Sequence, residues 1–128
     1  MFELVRDVPR YPEFLNWVQT AIVHEEDENH QVATLQVRIA GMTRRFTTEN
    51  KLVPGQRLEM GLRAGPFENL TGAWQFEPLG QLGAKVSLDL SFSLGRSALM
   101  VPFRRGFSRM ADRMVDDFCR RAEQLHGR

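Results

Sequence analysis

The sequence predicts an α+β domain: about six antiparallel strands packing one face against a long C-terminal helix, with a short helix at the N-terminus. Three observations predict it. In the middle of the chain apolar residues recur at every second position; Pro and Gly separate successive runs; and in the last quarter apolar residues recur every three or four positions. A chain of 128 residues has the usual size of one domain, ~100–150 residues.

At the N-terminus Phe2, Leu4, Val5 and Val8 share one side of a short helix that Pro9 and Pro12 interrupt. Tyr11, Phe14, Leu15 and Trp17 follow in a loop. Four large apolar side chains there are expected to cap a core rather than face water. Residues 17–26 read as a strand whose two phases both carry apolar residues, so its facing stays open. Ala33, Leu35, Val37 and Ile39 alternate with Thr34, Gln36 and Arg38, the period of a half-buried strand. Runs at 42–53, 56–64 and 70–77 follow, separated by Pro54-Gly55, Gly65-Pro66 and then Pro78, Gly80 and Gly83. The sixth run alternates most cleanly: Ala84, Val86, Leu88, Leu90, Phe92 and Leu94 lie against Lys85, Ser87, Asp89, Ser91 and Ser93. Short turns between such runs imply an antiparallel meander with one apolar face and one wet face.

The apolar face needs a cover, and the C-terminal segment provides one. Phe103, Phe107, Met110, Ala111, Met114, Val115, Phe118, Ala122 and Leu125 recur at helical spacing up to Gly127. A helix of about 20–25 residues spans ~30–38 Å and crosses a six-strand sheet. Its other side carries Arg109, Arg113, Asp116, Asp117, Arg120 and Arg121. The spacing allows Arg113–Asp117 and Asp116–Arg120 pairs worth only ~0.3–0.5 kcal/mol each.

Composition removes several function classes. The formal net charge is +1, so contact with nucleic acid or anionic lipid requires a local patch rather than bulk charge. A single cysteine, Cys119, rules out an intrachain disulfide framework and fits a reducing compartment, so the expected location is the cytoplasm. The longest apolar run, 98–103, is far short of a ~20-residue membrane span, and no export leader is expected. His24, His30 and His126 lack metal-ligand spacing, no glycine-rich phosphate loop or GxSxG elbow occurs, and Cys119 reads as a small buried hydrophobe. Neither a metal nor a catalytic residue is expected.

The interior remains. Arg44, Phe46 and Asn50 share one strand phase, so Arg44 and Asn50 are expected toward the covered side. There Arg44 either snorkels to water or, with Asn50, orients the polar head of an apolar ligand. Met60, Leu62, Trp74, Phe76, Leu88, Leu90 and Phe92 share that face, opposite Phe103, Phe107, Met110 and Met114. Periodicity does not separate a filled core from a lined cavity.

The opening FELVRDVPRYPEFLNW, the strand RRFTTEN and the run GPFENLTGAWQFEPL (residues 65–79) resemble the coenzyme Q-binding branch of the START-like, helix-grip superfamily, which includes bacterial ribosome-association toxins. The resemblance covers about Phe2 to Leu125. Its most specific part is Gly65, Pro66, Phe67, Leu70, Gly72, Trp74, Phe76, Pro78 and Leu79. It implies a curved sheet wrapped around the C-terminal helix and an apolar tunnel holding ubiquinone or a related isoprenoid, with no catalytic residues. Trp74, Phe76, Leu88, Phe92, Phe107, Met110 and Met114 would line the tunnel, and Tyr11, Pro12, Phe14 and Leu15 would sit at its mouth. Asn16 stands where the family has proline. The chain also starts at the family's first helix, one strand short, which leads us to expect a bare sheet edge suited to a homodimer, or a start codon assigned too far downstream.

Three functions follow as expectations. The first is noncatalytic ubiquinone binding in support of respiration, with transient contact at the inner membrane surface. The second is association with the large ribosomal subunit through Arg104, Arg105, Arg109, Arg113, Arg120 and Arg121, diluted by Asp112, Asp116 and Asp117. The third and weakest is cyclase-type catalysis, for which only Arg44, Asn50 and His24 are at hand.

Overall fold

The computed structural model describes residues 1–80, 83–95 and 97–125. The side chain of Ala84, together with His126 and the helix end expected at Gly127, lies outside the described residues. The chain opens with α1 (Phe2–Arg6) and a 3₁₀ segment, Val8–Glu13. Proline at its start and Pro12 within it prevent α1 from continuing. Six strands follow: β1 (Val18–Glu26), β2 (His30–Ile39), β3 (Met42–Val53), β4 (Arg57–Ala64), β5 (Phe67–Pro78) and β6 (Ala84–Leu94). They form one sheet in sequential order, antiparallel throughout. A 3₁₀ turn, Ala98–Met100, leads into α2 (Val101–Leu125). Pro102 lies inside the first turn of α2 rather than before it, where its missing N–H costs no helical hydrogen bond.

The open facing of the first strand has a structural cause. β1 carries register shifts between Val18 and Thr20 and between Val23 and Glu25. Each bulge resets which side chains point inward. Val18 is therefore buried while Ile22 is 53% exposed. A further shift, between Phe67 and Asn69, lets β5 begin three residues before the expected start and turns Phe67 into the core. β2 and β3 are joined by Ala40 (φ 53°) and Gly41 (φ 76°). Two consecutive left-handed residues make the tight turn whose twist matches a hairpin, at a cost of ~1–2 kcal/mol for the alanine.

The helix crosses the inner face of the sheet with Phe103, Phe107, Met110, Met114 and Phe118 buried. Its aromatic packing collects at two places. Near the start, Phe107 lies 5.0 Å from Phe67 and 4.7 Å from Phe92, ring to ring. Further on, Phe118 lies 5.1 Å from Trp74, 5.1 Å from Phe14 and 5.3 Å from Tyr11. Between these clamps the buried helix residues are Met110 and Met114. At Gly106 the helix comes so close to β2 that an added Cβ would run into Ile39 Cγ2.

Candidate functional site

Between the clamps lies a cavity of about 60 Å³, lined among others by Phe46, Trp74, Phe107, Met110 and Met114. Apolar cavities that take up benzene measure ~150 Å³, and small-molecule pockets ~300–1,000 Å³. The expected open tunnel is thus a narrow void. One inner-face row of cross-strand partners explains where it sits: Gln31 pairs with Asn50, Asn50 with Met60, Met60 with Gly72 and Gly72 with Leu90. Gly72 has no side chain, so Met60 and Leu90 fold over it: a Cβ there would meet Leu90 Cδ1 at 2.8 Å and Met60 Cγ at 3.2 Å.

The polar wall is small. Asn50 and Gln31 are 5% and 0% exposed. Asn50 Nδ2 donates to Gln31 Oε1 at 2.8 Å, and Gln31 Nε2 donates at 2.9 Å both to Arg6 O and to Glu26 Oε2. Glu26 in turn accepts from Arg6 Nε at 3.0 Å. Tyr11 donates its hydroxyl to the Val5 carbonyl. Burial, with Asp7 nearby, pushes the phenol pKa far up, so the ring stays neutral. Two polar atoms of cavity residues are buried without a partner, Asn50 Oδ1 and Trp17 Nε1.

Of the residues expected to contact a ligand, Phe46, Asn50, Met60, Trp74, Leu88, Leu90, Phe107, Met110 and Met114 line the cavity. Leu62, Phe76, Phe92 and Phe103 do not: Phe76 stacks on Trp74 and packs edge-on to Phe2, while Phe103 and Phe92 belong to the first aromatic clamp. Arg44 is displaced as well. It lies at the end of the sheet, with Nη1 2.8 Å from Thr43 O and Nη2 3.9 Å from Met100 Sδ. Of the expected mouth, Tyr11 reaches the cavity, Leu15 is core, Phe14 is half-buried against Phe118, and Pro12 is exposed. Val5, Val8, Ala33, Leu35 and Leu58 join the wall. Alternation within β2 and β4 carried that signal. Cys119 is half-buried, and its thiol pKa is pushed up by burial, Asp116 and Glu123, which keeps it a poor nucleophile.

A second feature is electrostatic. Ile39 against Gly106 and Arg44 against Met100 bring the β2–β3 hairpin beside the start of α2. Arg44 thereby faces the start of the stretch carrying Arg104, Arg105, Arg109 and Arg113, where Asp112 is the sole acid in residues 98–113, while Arg38 and Arg45 lie on the outer face at the same end of the sheet, Arg45 bonded to Gln36 Oε1 at 2.9 Å. No ion pair engages these seven arginines among the described residues. The four-residue pairs expected on α2 do not form. Arg120 instead meets Asp117 at 3.5 Å, and Arg121 bonds Glu13 at 2.7 Å over the Phe14 ring, which withdraws both from the patch. The opposite end of the sheet carries Glu25, Glu26, Asp27 and Glu28.

Residues 1–119 match the family described as polyketide cyclase/dehydrase and lipid transport. The chain belongs to that family. It is 46% identical over 127 residues to ribosome association toxin RatA of Pseudomonas aeruginosa, covering 99% of this chain and 88% of the relative. With RatA of Escherichia coli it shares 34% over 126 residues, 98% of this chain and 80% of that one. The fold is that of the Zhui aromatase/cyclase from Streptomyces (TM-score 0.81, 16% identity, 96% of this chain and 84% of that one). It is also that of a START superfamily protein from Mycobacterium smegmatis (0.71, 20%, 97% and 88%). The helix-grip architecture of the polyketide cyclase family is therefore the architecture of this chain. No helix among the described residues is long and apolar enough to cross a membrane.

Proposed function

We propose that the chain is a noncatalytic ribosome-binding protein that docks its arginine-bearing end against RNA phosphates of the large subunit. The observation that carries this reading is the likeness, over nearly the whole chain, to proteins named ribosome association toxin. The structure supplies a matching chemistry. Guanidinium groups outside any internal ion pair are available to phosphate oxygens, which they meet bidentately. Sedimentation with purified ribosomal subunits across a salt series tests it: the chain should travel with the large subunit at low salt and be released steeply as salt rises. A chain that stays at the top of the gradient at low salt sinks the proposal.

A second reading, binding of an apolar guest such as an isoprenoid quinone, is supported by the cavity and its two unpartnered polar atoms. A guest of that size requires the methionine wall to open. Extraction of the purified protein with organic solvent and mass spectrometry of the extract tests it; an empty extract together with no uptake of added quinone counts against it.

A further inference from the structure

We infer that the cavity selects a guest carrying a hydrogen-bond donor, a hydroxyl or N–H, which meets Asn50 Oδ1. This rests on the second reading above, that the cavity admits a guest, and is independent of ribosome association. The hydrogen bonds fix which Asn50 atom is left free. Gln31 Nε2 faces two groups that only accept, the Arg6 carbonyl and the Glu26 carboxylate, itself paired with Arg6. The Gln31 side chain cannot be turned over without setting oxygen against oxygen, so its Oε1 must face Asn50. Asn50 must then present Nδ2 to Gln31, and Oδ1 is left over, buried and without a partner. An acceptor stranded in an apolar wall has lost its water and gained nothing. The relay toward Glu26 draws the amide protons of Asn50 outward, which strengthens Oδ1 as an acceptor.

Space for the donor comes from Met60, the neighbour of Asn50 in register. Its flexible thioether bends over Gly72, and rotating it away widens the cavity next to Asn50. Trp17 Nε1, the other unpartnered atom, is a donor and serves any carbonyl or ether oxygen alike. Discrimination therefore falls to Asn50. An oxidised quinone ring offers acceptors only, whereas its reduced hydroquinone, an alcohol or a phenol offers the hydrogen that Oδ1 lacks.

The test compares 4-propylphenol with its methyl ether, 4-propylanisole, which keeps the oxygen and loses the donor. Binding to the full chain is read by calorimetry and by tryptophan fluorescence, since both Trp17 and Trp74 line the cavity. The phenol should bind at least ~10-fold more tightly, a difference of ~1.4 kcal/mol. Asn50→Leu should bring the ratio below ~2. Equal binding of the two probes to the unaltered chain, or a preference for the ether, overturns the inference and leaves the cavity reading standing. Binding of neither probe overturns both. Because the decisive ratio is measured on the unaltered chain, a poorly folded variant does not blunt the test.

Discussion

Arg105, Arg109 and Arg113 are exposed, unpaired and four residues apart on α2. Successive members of this stripe are ~6 Å apart along the axis. Replacing all three with glutamine removes three phosphate partners without touching the core. If the seven arginines at this end all meet phosphates, the slope of log K against log salt is about −5 to −6, at ~0.7–0.9 per contact. The triple variant leaves four contacts and a slope of about −3 to −4. Raising salt fourfold then weakens the unaltered chain by ~10³-fold and the variant by only ~10²-fold, on top of a weaker starting affinity. The assay is co-sedimentation with large subunits at fixed magnesium, with thermal unfolding confirming a stability change within ~0.5 kcal/mol, as expected for exposed sites. Glu25→Gln with Glu28→Gln at the far end serves as the control and should leave the slope unchanged. A triple variant with the slope of the unaltered chain would refute the placement of the interface.

Three further outcomes follow from the packing. Tyr11→Phe strands the buried Val5 carbonyl and should cost ~1–3 kcal/mol in urea unfolding; in the unaltered chain, whose Tyr11 pKa is raised on folding, stability should fall as pH climbs past the ordinary tyrosine range. Gly106→Ala gains ~0.8–1 kcal/mol of helix propensity but drives a methyl into Ile39, an overpacking cost of ~1–3 kcal/mol. A net loss is expected, relieved when Ile39→Ala is added; a Gly106→Ala chain more stable than its parent would contradict the close approach. The hydrogen bond from His30 at 2.7 Å lowers the Glu49 carboxyl pKa, with Arg63 adding to it. A depressed folded-state value means that this contribution is present above the ordinary glutamate range and lost as pH falls through the folded value, so His30→Ala should raise the Glu49 midpoint in an NMR titration.

The strand periods, the turn residues and the helical stripe were enough to place every strand and the covering helix, because burial imposes those periods directly. The ends of elements were less legible. β1 hides two bulges that no alternation reveals, and β5 starts early because the bulge at Phe67 breaks the count. Within the site, Asn50 followed from phase alone. Arg44 shares that phase, yet its position at the sheet end lets the side chain reach Met100, a matter of distance along the strand rather than of face. The arginine end was half legible. The helix residues were visible in sequence, but the nearness of Arg44 depends on how closely Gly106 lets α2 approach the hairpin, and the loss of Arg120 and Arg121 depends on Asp117 and on Glu13 from the other terminus.

The separation of charge along β2 has a mechanical corollary. Its ten residues hold the acidic turn ~30 Å from Arg38, several screening lengths away. On a polyanionic surface the arginine end is drawn inward, while the acidic turn lies beyond the screened reach of the phosphates. Were the arginine end seated on RNA as proposed, the acidic end of this 14.8 kDa chain would be the part left to meet whatever approaches.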